Sequence, residues 1–160
     1  MADIIKAKLK KSKQKDQGGL RLISEYSDRI DSGTATRTVD CDLIVHPDLM
    51  AKFRKLDEHL AAMTNQREAD GKISDQVVCR AFSLRGDDEG EGVVLSGHRI
   101  LPNGKALILN SPFIRFDDDD AYSSLEELVD HINECEEEVK HYLFSGKHLK
   151  DPQGELFENN

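Results

Sequence analysis

Residues 93–109 read VVLSGHRILPNGKALIL, and residues 125–144 read LEELVDHINECEEEVKHYLF. In the first stretch, two runs rich in valine, leucine and isoleucine flank a Pro-Asn-Gly sequence at 102–104, which favours a tight turn. This pattern predicts a β-hairpin. In the second stretch, apolar residues recur at intervals of three and four, as on one face of an α-helix. That face carries Leu125, Leu128, Ile132, Cys135, Val139 and Tyr142. The region from Val93 to Phe144 therefore predicts a hairpin followed by one long amphipathic helix.

The start of this helix is marked by serines and acids. Ser123 precedes Glu126 by three residues and Ser124 precedes Glu127 by three, and either pair can form a capping box. Four consecutive aspartates, Asp117 to Asp120, lie just upstream, where the positive end of the helix dipole favours negative charge.

The chain before the hairpin repeats a similar order of elements. Alternation predicts strands at Asp3–Leu9, Leu20–Tyr26, Thr34–Val45 and Gln76–Leu84. Between the third and fourth strands, apolar residues at helical spacing predict one helix, carrying Leu49, Phe53, Leu56, Leu60 and Met63. The predicted order is βββα-βββα. Because each helix has one apolar face to bury, we expect a two-layer α+β fold of antiparallel sheet packed by two amphipathic helices.

Length and composition predict one domain with a tail. A chain of 160 residues is long enough for a substantial core. Gly146 is a typical helix stop, so residues 1–146 are predicted to form a single α+β domain and residues 147–160 a flexible C-terminal tail. No run of the roughly 20 apolar residues needed to cross a bilayer occurs, so no membrane association is expected.

The three cysteines are Cys41, Cys79 and Cys135. Their number is odd, they are widely spaced and they form no CxxC pair, so neither a zinc knuckle nor a disulfide framework is indicated. Unpaired thiols suit a reducing cytoplasm, and we expect a cytoplasmic protein.

Charge is segregated along the sequence. The formal net charge is −9, which argues against a dedicated duplex DNA binder, because neutralising phosphates dominates such affinity. The first fifteen residues nevertheless form a basic arm. It contains Lys6, Lys8, Lys10, Lys11, Lys13 and Lys15. This arm is a candidate for contacts with the phosphates of single-stranded nucleic acid.

Aromatic residues suited to stacking on bases are few. Tyr26, Phe82, Phe113 and Phe116 lie on or near predicted strands. They can be interpreted as base-stacking residues or as packing residues, and packing is the favoured interpretation.

No catalytic, metal or cofactor site is predicted. Asp117 to Asp120 lacks the alternating acids and the turn glycine of a calcium loop, so these aspartates are interpreted as a solvated helix start. The six histidines show no HExxH or similar ligand spacing, and His59 and His131 are predicted to lie on helix flanks. No phosphate-binding loop and no nucleophile elbow occurs.

The most specific short motif is Gln153-Gly154-Glu155-Leu156-Phe157. It resembles the peptide by which bacterial replication and repair proteins bind the DNA sliding clamp. In that peptide a glutamine is followed by two variable residues and then by leucine and phenylalanine. The resemblance implies that Gln153, Leu156 and Phe157 bind the clamp, with the two apolar side chains filling a hydrophobic pocket. Gly154 departs from the leucine usual at the second place, which implies weaker binding.

Other phrases resemble small phage and prophage proteins without a settled function. They are HPDLMAKFRKLDEHLA (46–61), LSGHRILPNGKALILNSPF (95–113) and ECEEEVKHYLFSGKH (134–148). The element order is also similar to that of the Pur-alpha and Whirly types of single-strand binder, without their sequence motifs. Two functions are favoured: a non-enzymatic accessory protein of phage DNA replication or recombination, or a protein-binding module, such as an inhibitor or assembly factor, that uses an acidic surface. An enzyme, which would need a site assembled from distant residues, is the third option. The oligomeric state is also open, and a homo-oligomer is among the options.

Overall fold

The computed structural model describes residues 2–13, 18–87 and 90–145. Its strands are β1 (Asp3–Lys11), β2 (Leu20–Ile30), β3 (Gly33–Ile44), β4 (Val77–Asp87), β5 (Gly90–Ile100), β6 (Ala106–Asn110) and β7 (Ile114–Arg115). Its helices are α1 (Pro47–Arg54), α2 (Asp57–Met63) and α3 (Leu125–Phe144). The pairs β1–β2, β2–β3, β4–β5 and β5–β6 are all antiparallel, so the predicted α+β class is confirmed. None of the described helices has both the length and the apolar character needed to cross a membrane.

Contacts divide the chain into two compact units. Unit 1 comprises residues 1–52 and 134–160, and unit 2 comprises residues 53–133. Helix α3 belongs to unit 2 up to residue 133 and to unit 1 from residue 134 onward. The units therefore do not coincide with the two sequential halves of the predicted βββα-βββα order.

In unit 1, β1, β2 and β3 form an antiparallel meander. Residues alternate across the strands, so one face of β1 and β2 carries Ile4, Ala7, Leu9 and Leu22, all of them buried. The last turns of α3 contact β2 and β3. Tyr26 and Phe144 pack edge to face with ring centroids 5.0 Å apart, and the buried Tyr142 donates a long hydrogen bond of 3.5 Å to the Leu43 carbonyl.

In unit 2, β4, β5 and β6 form a second antiparallel meander, and β7 pairs with β5. Helix α2 lies against β4 and β5. Its Leu60 is fully buried, as are Phe53, Phe82 and Leu95. The hairpin predicted around Pro102-Asn103-Gly104 is present, and Gly104 adopts a left-handed φ of 81° at the turn.

The single helix predicted over Leu49 to Met63 is two consecutive helices, α1 and α2. The interruption falls at Leu56, whose amide donates to the carbonyl of Phe53, three residues back, instead of continuing the four-residue pattern. Side chains on either side of the interruption bind the main chain of β4. Arg54 donates to the Cys79 carbonyl at 2.7 Å, and Asp57 accepts from the Cys79 amide at 2.7 Å. The helix break thus allows two side chains to bond β4 beside the register shift between Cys79 and Ala81.

Candidate functional site

Three lysines of the basic arm lie together on one face of β1. Lys6, Lys8 and Lys10 alternate with the buried residues of that strand, so their side chains share the opposite face. Together with β2 and β3 residues they line a groove of about 230 Å³, which we call the lysine groove. It is lined by Lys6, Lys8, Lys10, Ile23, Glu25 and Thr38.

The electrostatics of the lysine groove favour an anion. Desolvation, followed by the neighbouring charges of Lys10 and Lys6, lowers the pKa of Lys8. Along the register, Lys10 lies opposite Arg21, and Lys6 lies opposite Glu25. The lining therefore carries three positive charges against one negative charge. An added anion would relieve the repulsion among the lysines.

The remaining lysines of the arm are placed differently. Lys11 is exposed at the end of β1, outside the groove lining. Lys13 forms ion pairs with Asp40 at 3.3 Å and with Asp42 at 3.8 Å. Lys15 lies outside the described residues, as do Gln153, Leu156 and Phe157 of the tail motif. The structure thus brings together three of the six predicted nucleic-acid-binding residues.

The Asp40 carboxylate explains why Lys13 forms ion pairs and does not line the lysine groove. This carboxylate also accepts a hydrogen bond from Arg21 at 2.8 Å, and this bond, with the help of Lys13, holds the pKa of Asp40 below its usual range. The carboxylate is therefore ionised near neutral pH and attracts both cations. Solvent screens such exposed pairs, so they stabilise the fold little and restrain Lys13 only weakly.

The aromatic candidates lie outside the lysine groove. Tyr26 packs against Phe144, and the fully buried Phe82 packs against Phe53 with ring centroids 5.7 Å apart. Phe113 lies beneath the Arg115 guanidinium, which is 6.0 Å from its ring centroid. For Tyr26 and Phe82 the packing interpretation is therefore the one supported. A ligand in the groove would be held through its phosphates and not by stacking.

Unit 1 also contains an apolar groove of about 540 Å³ beside the end of α3. Its lining includes Tyr26, Val39, Cys41, Leu43, Leu143 and Phe144, with Asp40 and Asp42 on the rim. Leu43 and Phe144 are each about half exposed, at 48% and 49%. Burial, and then the charges of Asp40 and Asp42, raises the pKa of the Cys41 thiol to about 11, so this thiol is un-ionised near neutral pH.

Unit 2 contains a histidine cluster that the sequence did not reveal. His59, which was predicted to lie on a helix flank, is on α2 and only 3% exposed. Its Nε2 lies 3.0 Å from Nδ1 of His131 and 3.8 Å from Oε1 of Glu127, and its Nδ1 lies 2.8 Å from the Tyr122 hydroxyl. Burial, and then the nearby His131, lowers the pKa of His59, so its ring is neutral near pH 7. The only trace in the sequence is Glu127 and His131, four residues apart on one helix face.

Comparisons with known proteins add no identification. A scan against protein-family models found no match, and searches of curated proteins and of solved structures likewise found none.

Proposed function

We propose that this protein is a non-enzymatic accessory protein of phage-type DNA replication or recombination, which binds single-stranded nucleic acid through the lysine groove. The observation that supports this proposal is the alignment of Lys6, Lys8 and Lys10 along one strand face. Alternate residues of a strand repeat about every 6.8 Å, which is comparable with the spacing of successive phosphates in an extended single strand. A groove that follows the backbone in this way binds without reading the bases.

The remainder of the surface argues for a single strand over a duplex. With a net charge of −9, the protein as a whole repels nucleic acid, so binding depends on a local basic surface such as the lysine groove. A strip of three lysines suits a flexible single strand, which can follow one β-strand and leave the acidic regions untouched.

Changing Lys6, Lys8 and Lys10 together to alanine is expected to weaken binding to a labelled oligonucleotide by about 100-fold at ~0.1 M salt. Each contact with a single strand contributes about 0.7 to the slope of log K against log salt, so the slope should become less steep by about 2. Fluorescence anisotropy over a range of salt concentrations measures both quantities.

The matched control removes three exposed cations elsewhere, in the variant Lys72→Ala/Arg85→Ala/Lys105→Ala. It lowers the net charge by the same amount and should leave affinity within about threefold of wild type. Equal losses in the two triple variants would mean that only net charge matters. Absence of binding to the wild-type protein at low salt would remove the nucleic-acid proposal altogether.

The proposal also includes docking on a DNA sliding clamp through Gln153, Leu156 and Phe157. This part of the proposal is supported by the sequence motif alone. In the full-length chain, Leu156→Ala/Phe157→Ala is expected to weaken clamp binding by about 100-fold or more, because two buried anchors of a short peptide are lost. Surface plasmon resonance with immobilised clamp measures the effect. Glu155→Ala, at a variable place of the motif, is the control. If the double variant instead lowers the melting temperature, the tail belongs to the folded core and the clamp proposal fails.

The apolar groove of unit 1 favours a second candidate, a protein-binding module. The half-exposed Leu43 and Phe144 offer apolar area, and Asp42 adds a rim carboxylate whose side chain is 87% exposed. This chemistry fits a peptide with one large apolar side chain flanked by basic residues. The anisotropy experiment distinguishes the two candidate functions, because only the first requires salt-sensitive binding to an oligonucleotide.

A further inference from the structure

The histidine cluster of unit 2 converges on one point. His59 approaches from α2, while Glu127 and His131 approach from successive turns of α3. One ligand atom of each residue, a ring nitrogen or a carboxylate oxygen, lies within 4.8 Å of the other two. Two imidazoles and a carboxylate at this separation are more than a chance arrangement of surface groups, since His59 is buried.

The distances suit a tetrahedral metal ion. Zinc bonds to histidine nitrogen and carboxylate oxygen at about 2.0–2.2 Å, which separates neighbouring ligand atoms by about 3.4 Å. The separations from His59 Nε2 are 3.0 Å to His131 Nδ1 and 3.8 Å to Glu127 Oε1, on either side of that value. Both separations are thus within about 0.4 Å of the tetrahedral value, and the ligand atoms of Glu127 and His131 lie within 4.8 Å of each other.

A further residue orients the buried ligand. The Tyr122 hydroxyl lies 2.8 Å from His59 Nδ1, so a protonated Nδ1 donates to it and leaves the lone pair of Nε2 directed at His131 and Glu127. A hydrogen bond to the second ring nitrogen is the usual companion of a metal-binding histidine. The Tyr122 and His59 rings are nearly perpendicular, at 81°, which holds the imidazole plane from the side.

The cluster is accessible to an ion from solvent, and the charge of its three side chains suits a divalent cation. The Glu127 side chain is 60% exposed, so an ion can reach the cluster from solvent and shed its water in steps. Two neutral imidazoles and one carboxylate leave one unit of positive charge on a divalent ion, and a water molecule can occupy the fourth position.

We propose that His59, Glu127 and His131 form a binding site for a divalent transition-metal ion, zinc by preference, with Tyr122 as a positioning residue. Imidazole and carboxylate ligands in a three-residue site favour zinc over calcium or magnesium, which require more oxygen ligands. The site would join α2 to α3 within unit 2. It is independent of the lysine groove and of the function proposed above.

The test uses the full-length protein, dialysed against a chelator and titrated with zinc chloride in a calorimeter near pH 7.5. We expect one site with a dissociation constant in the micromolar range or tighter, and a rise in melting temperature when zinc is added. Glu127→Gln should weaken zinc binding at least tenfold. The neighbouring exposed Glu126→Gln, which removes the same charge from the same helix turn, should leave it unchanged.

Two further variants show whether zinc binds at this cluster or at other histidines, acids and thiols of the chain. His131→Gln should abolish binding, whereas Tyr122→Phe should weaken it by about tenfold, because it removes only the orienting bond. X-ray absorption of the zinc-loaded protein should show nitrogen and oxygen ligands without sulfur. Absence of zinc binding would overturn the proposal, as would binding that Glu127→Gln and His131→Gln leave intact. The cluster would then be only a hydrogen-bonded chain of Tyr122, His59 and His131.

Discussion

Gly97→Ala is expected to lower the free energy of unfolding by about 3 kcal/mol, at the upper end of what overpacking costs. Gly97 lies on β5 opposite Cys79 of β4, with α2 above it. A Cβ at this position would collide with the main-chain carbonyl oxygen of Val78 and lie 2.9 Å from Cδ2 of Leu60. A side chain can rotate away, but the carbonyl belongs to a paired strand, so the β4–β5 pairing itself would have to shift.

Urea denaturation of the purified variant measures this loss, and an unchanged m-value would show that the unfolded state is unaffected. Gly86→Ala is the matched control, since Gly86 lies on the same β4–β5 pair and an added Cβ would meet only Cγ of Glu91, at an ordinary 3.8 Å. The control should be neutral or slightly stabilising. A Gly97→Ala variant within 1 kcal/mol of wild type would show that the strands tolerate a side chain between them and α2.

Phe82→Ala is expected to lower the free energy of unfolding by about 3–5 kcal/mol, because a large cavity would open in the core of unit 2. Phe82 is fully buried, and its ring packs at a 36° tilt against that of Phe53, which is equally buried. The loss approaches the whole stability of a marginally stable domain. We expect a large fall in melting temperature by circular dichroism.

Phe82→Leu provides the contrast, since it keeps most of the buried volume and should cost less than about 1.5 kcal/mol. If the alanine variant loses no more than the leucine variant, the ring contributes little beyond filling space that neighbouring side chains can reclaim.

The predicted strands and the last helix could be inferred from the sequence because their apolar residues repeat with the period of the element. Alternation in β1 was also enough to place Lys6, Lys8 and Lys10 on one face. It could not indicate that Lys13 binds Asp40, because that pair depends on where β3 lies beside β2. The two-residue strand β7 is too short to show any period.

The break between α1 and α2 was missed for a similar reason. Leu49, Phe53, Leu56 and Leu60 keep helical spacing across it, so nothing in the apolar pattern changes at Leu56. The break coincides instead with tertiary hydrogen bonds to β4: Arg54 donates to the Cys79 carbonyl, and Asp57 accepts from the Cys79 amide. The histidine cluster was equally invisible, since His59 and His131 are 72 positions apart and meet only through folding.

The division of the chain into units also predicts the order in which the two units fold during synthesis. Unit 2 is one continuous segment, whereas unit 1 needs residues on both sides of that segment. As the ribosome releases the polypeptide from its N-terminus, β1 to β3 emerge first but must wait for the last turns of α3, which provide Phe144 as the partner of Tyr26. We therefore expect residues 53–133 to become protease-resistant on the nascent chain before residues 1–52 do, reversing the usual N-terminal-first sequence.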